Sequence, residues 1–203
     1  FLKRYHYSRP WVFIRALLKF NFPVFSGPAE WQRLTELKSA GFRVPEVVAA
    51  GIGGTSFYGL SFIILEELPG QSIEALLAPQ SVCSAKRQRR LAKSLGHWIR
   101  RFHEAGFCHK DLYLCHLFVN DSDVLGMLDC ERVQRWPGKV PERWIIKDLA
   151  ALHYSSSALL LSSSRLLFLN AYFGDAHGTR AAKALLKKVE DKVTGMARKG
   201  RKV

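Results

Sequence analysis

Acidic residues are the scarce class in this 203-residue chain: 17 Asp and Glu stand against 31 Lys and Arg, a net charge of +14. Such an excess draws the surface toward polyanions, whether nucleotide phosphates, anionic lipid head groups or nucleic acid, without choosing among them. Long apolar runs are missing too. No stretch approaches the roughly 18 to 20 apolar residues of a membrane span, and the first residues do not read as a signal peptide. Cysteine is sparse and irregularly spaced (Cys83, Cys108, Cys115, Cys130), which argues against a disulfide framework and for reduced thiols in the cytoplasm. Cys108-His109 and Cys115-His116 lack the Cys-x-x-Cys or His-x-x-x-His partners that a zinc site needs. The Gly51-Ile52-Gly53-Gly54 stretch is not followed by a helix opening on Lys-Ser/Thr, so it is no P-loop. Internal repeats and low-complexity tracts are absent. Trp31, Trp98 and Trp144 fall on apolar helix stripes and are expected in the core. With no exposed alternation of basic and aromatic residues, nucleic acid is the weakest candidate partner.

What is present is enough for a sizeable core: 48% of the residues are hydrophobic, sufficient for one domain or for two lobes sharing a site. Phe1 to Tyr5 reads as a strand. Trp11 to Phe20 could form a basic, aromatic helix that Pro23 stops. Ser26-Gly27-Pro28-Ala29-Glu30 opens a helix that Gly41 ends. Val44 to Ala50 and Leu60 to Glu66 read as strands, with Gly51 to Gly54 as the turn between them. A connector, Glu66 to Gly70, leads to a short helix from Ser72 to Leu77. The long basic helix over Ser84 to Ala105 carries Leu91, Leu95, Trp98, Ile99 and Phe102 in one stripe. Leu117 to Asn120 and Val124 to Asp129 form a hairpin. Helices then follow over Trp144 to Leu161 (with Ile145, Leu149, Leu152 and Leu159 inward), Leu166 to Phe173, and Thr179 onward into the basic end Arg198 to Lys202. Strands gathered toward the N-terminus with helices after them predict an α+β fold.

The chemistry concentrates in Gly106-Phe-Cys-His-Lys-Asp-Leu-Tyr-Leu-Cys-His116, a loop that leaves the long helix. Its His109-x-Asp111 triplet has the form used in phosphoryl transfer, where a carboxylate orients a hydroxyl and accepts its proton. Asp129 closes the hairpin that follows, where a magnesium-binding carboxylate belongs, since hard cations take oxygen ligands. Lys3 in a strand and Glu30 opening the next helix make the second half of such a site: a lysine for the α/β-phosphates and a glutamate that holds it. His109 reads as a structural ring that fixes the loop. Asp148, in a helix expected under the loop, could tie down its backbone amides or simply be solvated.

These residues resemble the Kdo/WaaP-type lipopolysaccharide kinases. The loop Gly106 to Val119 carries the likeness, with Ala29-Glu30-Trp31, Ser61-Phe-Ile-Ile-Leu-Glu-Glu-Leu68 and Pro141-Glu-Arg-Trp-Ile-Ile-Lys-Asp-Leu-Ala-Ala-Leu-His-Tyr-Ser155. It extends from Phe1 to about Phe173. The resemblance implies a protein-kinase-like bilobal fold, with a partial N-lobe over 1–68 and a C-lobe with a basic tail over 69–203, and with ATP and Mg²⁺ as cofactors. It implies Lys3 and Glu30 at the phosphates, Glu66 to Leu68 at the hinge that meets adenine, Asp111 as catalytic base and Asp129 as metal ligand. His116, a further metal-site residue in this reading, stands where protein kinases place an asparagine that holds a second magnesium. Cys130-Glu131 replaces the Phe-Gly that follows the metal aspartate there, and no glycine-rich strand pair precedes Lys3. The implied acceptor is a heptose or Kdo hydroxyl of a lipid A-linked core oligosaccharide, met at the inner face of the cytoplasmic membrane, whose anionic leaflet suits the basic surface. A protein or small-molecule acceptor, and a non-catalytic kinase-like binding module, are the alternatives.

Overall fold

The computed structural model describes residues 1–7, 26–55, 58–81, 83–156 and 162–200. The expected helix over Trp11 to Phe20, the inward position of Leu159 and the end of the basic tail at Arg201-Lys202 lie outside these residues. Two compact units result: Phe1–Pro69 with Gly126–Val133, and Gly70–Leu125 with Gln134–Val203.

In the first unit a three-stranded antiparallel sheet has the order β1-β3-β2, from β1 (Leu2–Tyr7), β2 (Val47–Thr55) and β3 (Tyr58–Leu65). Helix α1 (Gly27–Ser39) packs on it. Ser26 caps the helix, its hydroxyl accepting from Ala29 N at 3.2 Å, and Pro28 fills a first-turn position whose amide has no helical partner anyway. The buried face of α1 is Gly27, Glu30, Leu34 and Leu37. Gly27 sits against β3 so closely that a Cβ there would lie 1.9 Å from the Phe62 carbonyl oxygen. No larger residue fits without moving the helix off the sheet.

Two expectations fail in this unit. Trp31 is not core but 47% exposed, because the inward helical position beside it is taken by Glu30. Gly51 to Gly54 is not a turn: β2 continues through it to Thr55, with Gly51 opposite Phe62 and Gly54 opposite Gly59. A Cβ on Gly51 would come within 2.7 Å of the Phe62 ring, so here glycine makes room for a neighbouring aromatic instead of reversing the chain.

The second unit is mostly helical, and with the sheet of the first it bears out the α+β reading. Its elements are β4 (Gln71–Ser72), α2 (Ile73–Leu77), α3 (Ala85–Glu104), β5 (Phe107–Cys108), β6 (Leu117–Val119), β8 (Gln134–Arg135), α4 (Glu142–Ser156), α5 (Ser162–Phe173) and α6 (Arg180–Gly200). Between β6 and β8, β7 (Leu125–Met127) carries the chain back into the first unit. Short antiparallel ladders join β4 to β6 and β5 to β8. Helix α3 buries Leu91, Leu95, Ile99 and Phe102, as their spacing predicts, and Gly96 lets α5 approach: a Cβ there would meet the Phe168 oxygen at 2.5 Å. Trp98 is half-buried and stacks on Phe102 at 5.8 Å. Helix α6 packs on α4, and Lys188 reaches Glu142 at 2.6 Å. Among the described residues no helix is long and apolar enough to cross a membrane.

The turn after β6 is pinned to α3. Asp123, with φ 58°, accepts from Arg87 Nε at 3.1 Å and from Arg90 Nε at 2.8 Å. Burial alone would raise the Asp123 pKa, but hydrogen bonds from Arg90 and Arg87 outweigh it and hold the carboxyl below its ordinary 3.8. Its contribution to stability is therefore complete above that ordinary value and lost as pH falls through the lowered one. Acid titration of unfolding should show a component in this window that Asp123→Asn removes. An unchanged acid limb in the variant would discount the pair.

Candidate active site

Strand periodicity assembles the first cluster. Lys3 and Tyr5, two residues apart on β1, point to one face and lie opposite Ile63 and Ser61, both fully buried. That is the face α1 covers, since Gly27 N donates to Ser61 Oγ at 3.2 Å. Glu30 lies on the inward stripe of α1 and is only 1% exposed, so it needs partners to offset the loss of water. Lys3 Nζ donates to Glu30 Oε1 at 3.0 Å, and the Tyr5 hydroxyl donates to Glu30 Oε2. Lys3 Nζ also donates to Asp129 Oδ1 at 2.9 Å. Asp129 reaches this position in the left-handed region, φ 56° and ψ 51°, between β7 and the 3₁₀ turn Cys130–Arg132. Asp and Asn tolerate that conformation better than most residues.

Burial pulls the Lys3 ammonium down, yet Glu30 and Asp129 outweigh it and hold it above its ordinary value. Burial first, and then the bond to Glu30, pushes the Tyr5 phenol well up. Glu131, next to this group, is raised by burial and then by the Asp129 charge. Three carboxylates thus share one neighbourhood with Lys3 and with Arg33, whose charge also acts on Glu30 and Glu131. Carboxylate oxygens are the donors that a hard cation takes. Among the described residues no three His, Cys, Asp or Glu side chains are grouped to hold an ion by themselves. The set fits magnesium in its usual manner, through one or two carboxylates together with phosphate oxygens and water. The neighbouring Cys130 thiol is fully buried and raised by burial, and burial pushes Cys108 up to about 11, so neither is an activated nucleophile.

The second cluster is the loop after α3. Gly106 turns the chain with φ 86°, where a Cβ would lie 2.6 Å from the Trp136 oxygen. Asp148 on α4 is fully buried beneath the loop and uses both oxygens on it. His109 N donates to Oδ2 and Lys110 N to Oδ1, each at 2.7 Å. His103 Nε2 stands 3.4 Å from Oδ2, with its Nδ1 2.8 Å from the Tyr172 hydroxyl. Of the two roles the sequence left open for Asp148, the structure selects the anchor. Lys110, which carries the second of those amides, holds φ 69°, a conformation that costs a non-glycine residue about 1–2 kcal/mol and persists only where its surroundings impose it.

Asp111 follows directly, its side chain 23% exposed, with Lys147 Nζ at 3.5 Å from Oδ1. His116 Nδ1 lies 2.8 Å from the Asp111 carbonyl oxygen, and its ring stacks on the buried His109 ring at 5.8 Å. Leu114 N donates to Ser155 Oγ on α4.

The structure therefore brings Lys3, Glu30 and Asp129 together in the first unit, and His109, Asp111 and His116 together in the second. In the first unit as well, Glu66 is exposed with its amide on the Glu46 oxygen, and Leu68 is buried near Gly126. Tyr5, Glu131, His103 and Lys147 escaped the sequence reading. Tyr5 was legible in principle, two residues from Lys3 on the same strand face. Lys147 is adjacent to Asp148, but only the helix orientation sets it on Asp111.

The chain is 31% identical to the lipopolysaccharide core heptose(I) kinase WaaP of Escherichia coli K12 over 173 residues, 79% of this chain and 65% of that protein. Against the enzyme of the same name from Pseudomonas aeruginosa PAO1 identity is 31%, over 77% of this chain and 63% of the relative. The 3-deoxy-D-manno-octulosonic acid kinase of Photobacterium damsela subsp. piscicida is 27% identical over 63% of this chain and 50% of its own length. The chain thus spans less than two thirds of these curated relatives. The family model that matches residues 1–172 bears out the resemblance read from the loop: the chain belongs to the lipopolysaccharide kinase (Kdo/WaaP) family.

Proposed function

We propose that this chain is an ATP-dependent kinase that transfers the γ-phosphoryl group to a sugar hydroxyl, heptose or Kdo, of the lipopolysaccharide inner core. The observation that carries the reading is Lys3 held between Glu30 and Asp129, a lysine fixed by a buried glutamate beside an exposed carboxylate. That is what phosphate positioning and metal binding require of a kinase. In this reading the first unit is the partial N-lobe with the segment that carries Asp129, and the second is the C-lobe.

Lys3 binds the α/β-phosphates and Glu30 keeps its ammonium aimed. Asp129 would hold Mg²⁺, which supplies charge neutralisation on the phosphate oxygens when bound. Asp111 accepts the proton of the acceptor hydroxyl as its oxygen bonds to the γ-phosphorus and the bond to the bridging oxygen of ADP breaks. His109 and His116 act through the loop: one ring is buried, and the other bonds the Asp111 carbonyl through Nδ1. Imidazole is a poor magnesium ligand, so we read His116 as positioning Asp111 and not as a metal ligand. Glu66 and Leu68 are assigned to the adenine. Because the Leu68 side chain is buried, what it offers a base is its main chain. The net charge of +14 and the lipid-linked acceptor together support a peripheral position at the cytoplasmic face of the inner membrane.

The test is ATP-dependent phosphate incorporation into lipid A-core acceptors ending in heptose or in Kdo, with protein and free-sugar acceptors alongside. Lys3→Met should lower kcat/KM by about 10²–10³-fold, the cost of removing one charge-stabilising donor. It should also remove the thermal stabilisation by MgATP, which in the wild type should reach about 2.7 kcal/mol at 100 times Kd. Full turnover in Lys3→Met, or transfer to protein alone, would overturn the assignment.

A further inference from the structure

The buried Glu30 carboxylate is held at two points from one strand. Its Oε1 accepts from Lys3 Nζ at 3.0 Å and its Oε2 from the Tyr5 hydroxyl. The two donors stand two residues apart on β1, roughly 6.5 Å along the strand, and on the same face. One bond fixes where the carboxylate sits, and the second fixes how it is turned. The helix offers a third donor. Arg33 follows Glu30 by three residues on α1, a spacing that sets both side chains on one side of the helix. Its Nη1 is buried with no hydrogen-bond partner among the described residues. Burial pulls the guanidinium down, and the Glu30 charge is the largest that holds it up, with Tyr5 and Glu131 after it. A buried N–H without an acceptor is unfavourable, and a guanidinium fork matches both oxygens of a carboxylate. Arg33 is therefore a competitor of Lys3 for Glu30, and Tyr5 occupies the oxygen it would need.

We propose that Tyr5 is a positioning residue: its hydroxyl holds Glu30 on Lys3 against the pull of Arg33. This rests on the kinase reading, in which Lys3 takes the nucleotide phosphates, and it adds a residue that acts only through Glu30. Without the hydroxyl, Oε2 is a buried oxygen that has lost its donor, and the carboxylate turns to the Arg33 guanidinium. Lys3 then keeps Asp129, at 2.9 Å, and loses Glu30. An ammonium drawn onto that carboxylate is aimed away from the phosphates, and it engages the group assigned to magnesium. A phenol suits the task because it stays protonated here. Burial first, and then Glu30, push it well above its ordinary 10.0, so it donates at any working pH.

The experiment is a double-mutant cycle on MgATP binding, read by titration calorimetry without acceptor, for Tyr5→Phe, Arg33→Met and the pair. Tyr5→Phe keeps the ring and should weaken MgATP binding at least about tenfold, the size of one charge-assisted hydrogen bond. Arg33→Met alone should bind within about twofold of wild type, the range expected of an uncoupled change. Combined with Tyr5→Phe it should recover most of the loss, because the competitor is gone. In the transfer assay the loss in Tyr5→Phe should fall on KM for MgATP and leave the acceptor KM unchanged. Crystal structures of the nucleotide-free proteins give a readout independent of turnover. The Glu30 carboxylate should leave Lys3 for Arg33 in Tyr5→Phe and return to Lys3 in the double variant. If the wild type binds MgATP and transfers phosphate, and Tyr5→Phe equals it, the role of Tyr5 is refuted and the kinase stands. A loss that Arg33→Met does not recover refutes it too, since a tyrosine that merely packs cannot be rescued by removing a neighbour's charge. Glu30 found on Arg33 in Tyr5→Phe, with a wild type that binds no MgATP, refutes the kinase reading and keeps the hold by Tyr5.

Discussion

Asp111→Asn should lower kcat for phosphate transfer by about 10²–10⁴-fold, the range general-base removal produces. The substitution keeps shape and removes the proton acceptor. The loop backbone should survive it, because Asp148 and not Asp111 holds the His109 and Lys110 amides. Among its contacts the substitution weakens the 3.5 Å pairing with Lys147 near the surface, where an ion pair contributes up to about 1 kcal/mol. The melting temperature should therefore fall by no more than about 2–4 °C. Phosphate incorporation and thermal unfolding, measured on the same preparation, decide the matter. Turnover within tenfold of wild type removes Asp111 from the chemistry, and a collapse in melting temperature would make any loss of activity uninformative about it.

The converse profile is expected for Asp148→Ala. This carboxylate is fully buried and meets two backbone amides and the His103 ring. Its removal leaves two buried amides without their acceptor, each costing about 1–3 kcal/mol, so roughly 2–6 kcal/mol in all. The left-handed Lys110 then loses the bond that offsets its strain, and the loop should relax toward an ordinary conformation that misdirects Asp111. Urea unfolding should show the loss in stability. At temperatures where the variant remains folded, kcat should fall while KM for MgATP holds. Asp148→Asn should be milder in stability, since its carbonyl keeps one amide. A variant as stable as wild type would show that the two short hydrogen bonds contribute nothing.

Local chemistry made much of this legible beforehand. Ser26 with Pro28, Ser72 and Ser84 announce helix starts, and each hydroxyl caps as its position implies. The stripe Leu91, Leu95, Ile99, Phe102 is inward as its 3.6-residue period requires. The reading failed where tertiary packing overrode a local cue. Glycines that usually punctuate a chain lie inside β2 because the ring of Phe62 occupies the space a side chain would need. Trp31 is outside because Glu30, read from the sequence as the partner of Lys3, holds the inward position to face Lys3 and Tyr5.

The order of chemical groups along the chain was enough to determine the class of this protein. A His-x-Asp loop after a basic helix, a second aspartate after a hairpin, and a strand lysine followed by a helix glutamate are covalent facts that need no fold to be read. Which of these groups touch was decided only in three dimensions. Lys3 and Asp129 are 126 residues apart, and meet because the chain returns to the first unit after β6. Asp148 reaches the loop amides from 38 and 39 residues away. Packing decides such contacts, and for the buried Glu30 and Asp148 burial demands them: a charge withdrawn from water must find its partner wherever packing puts one, and no local rule of sequence specifies where that is.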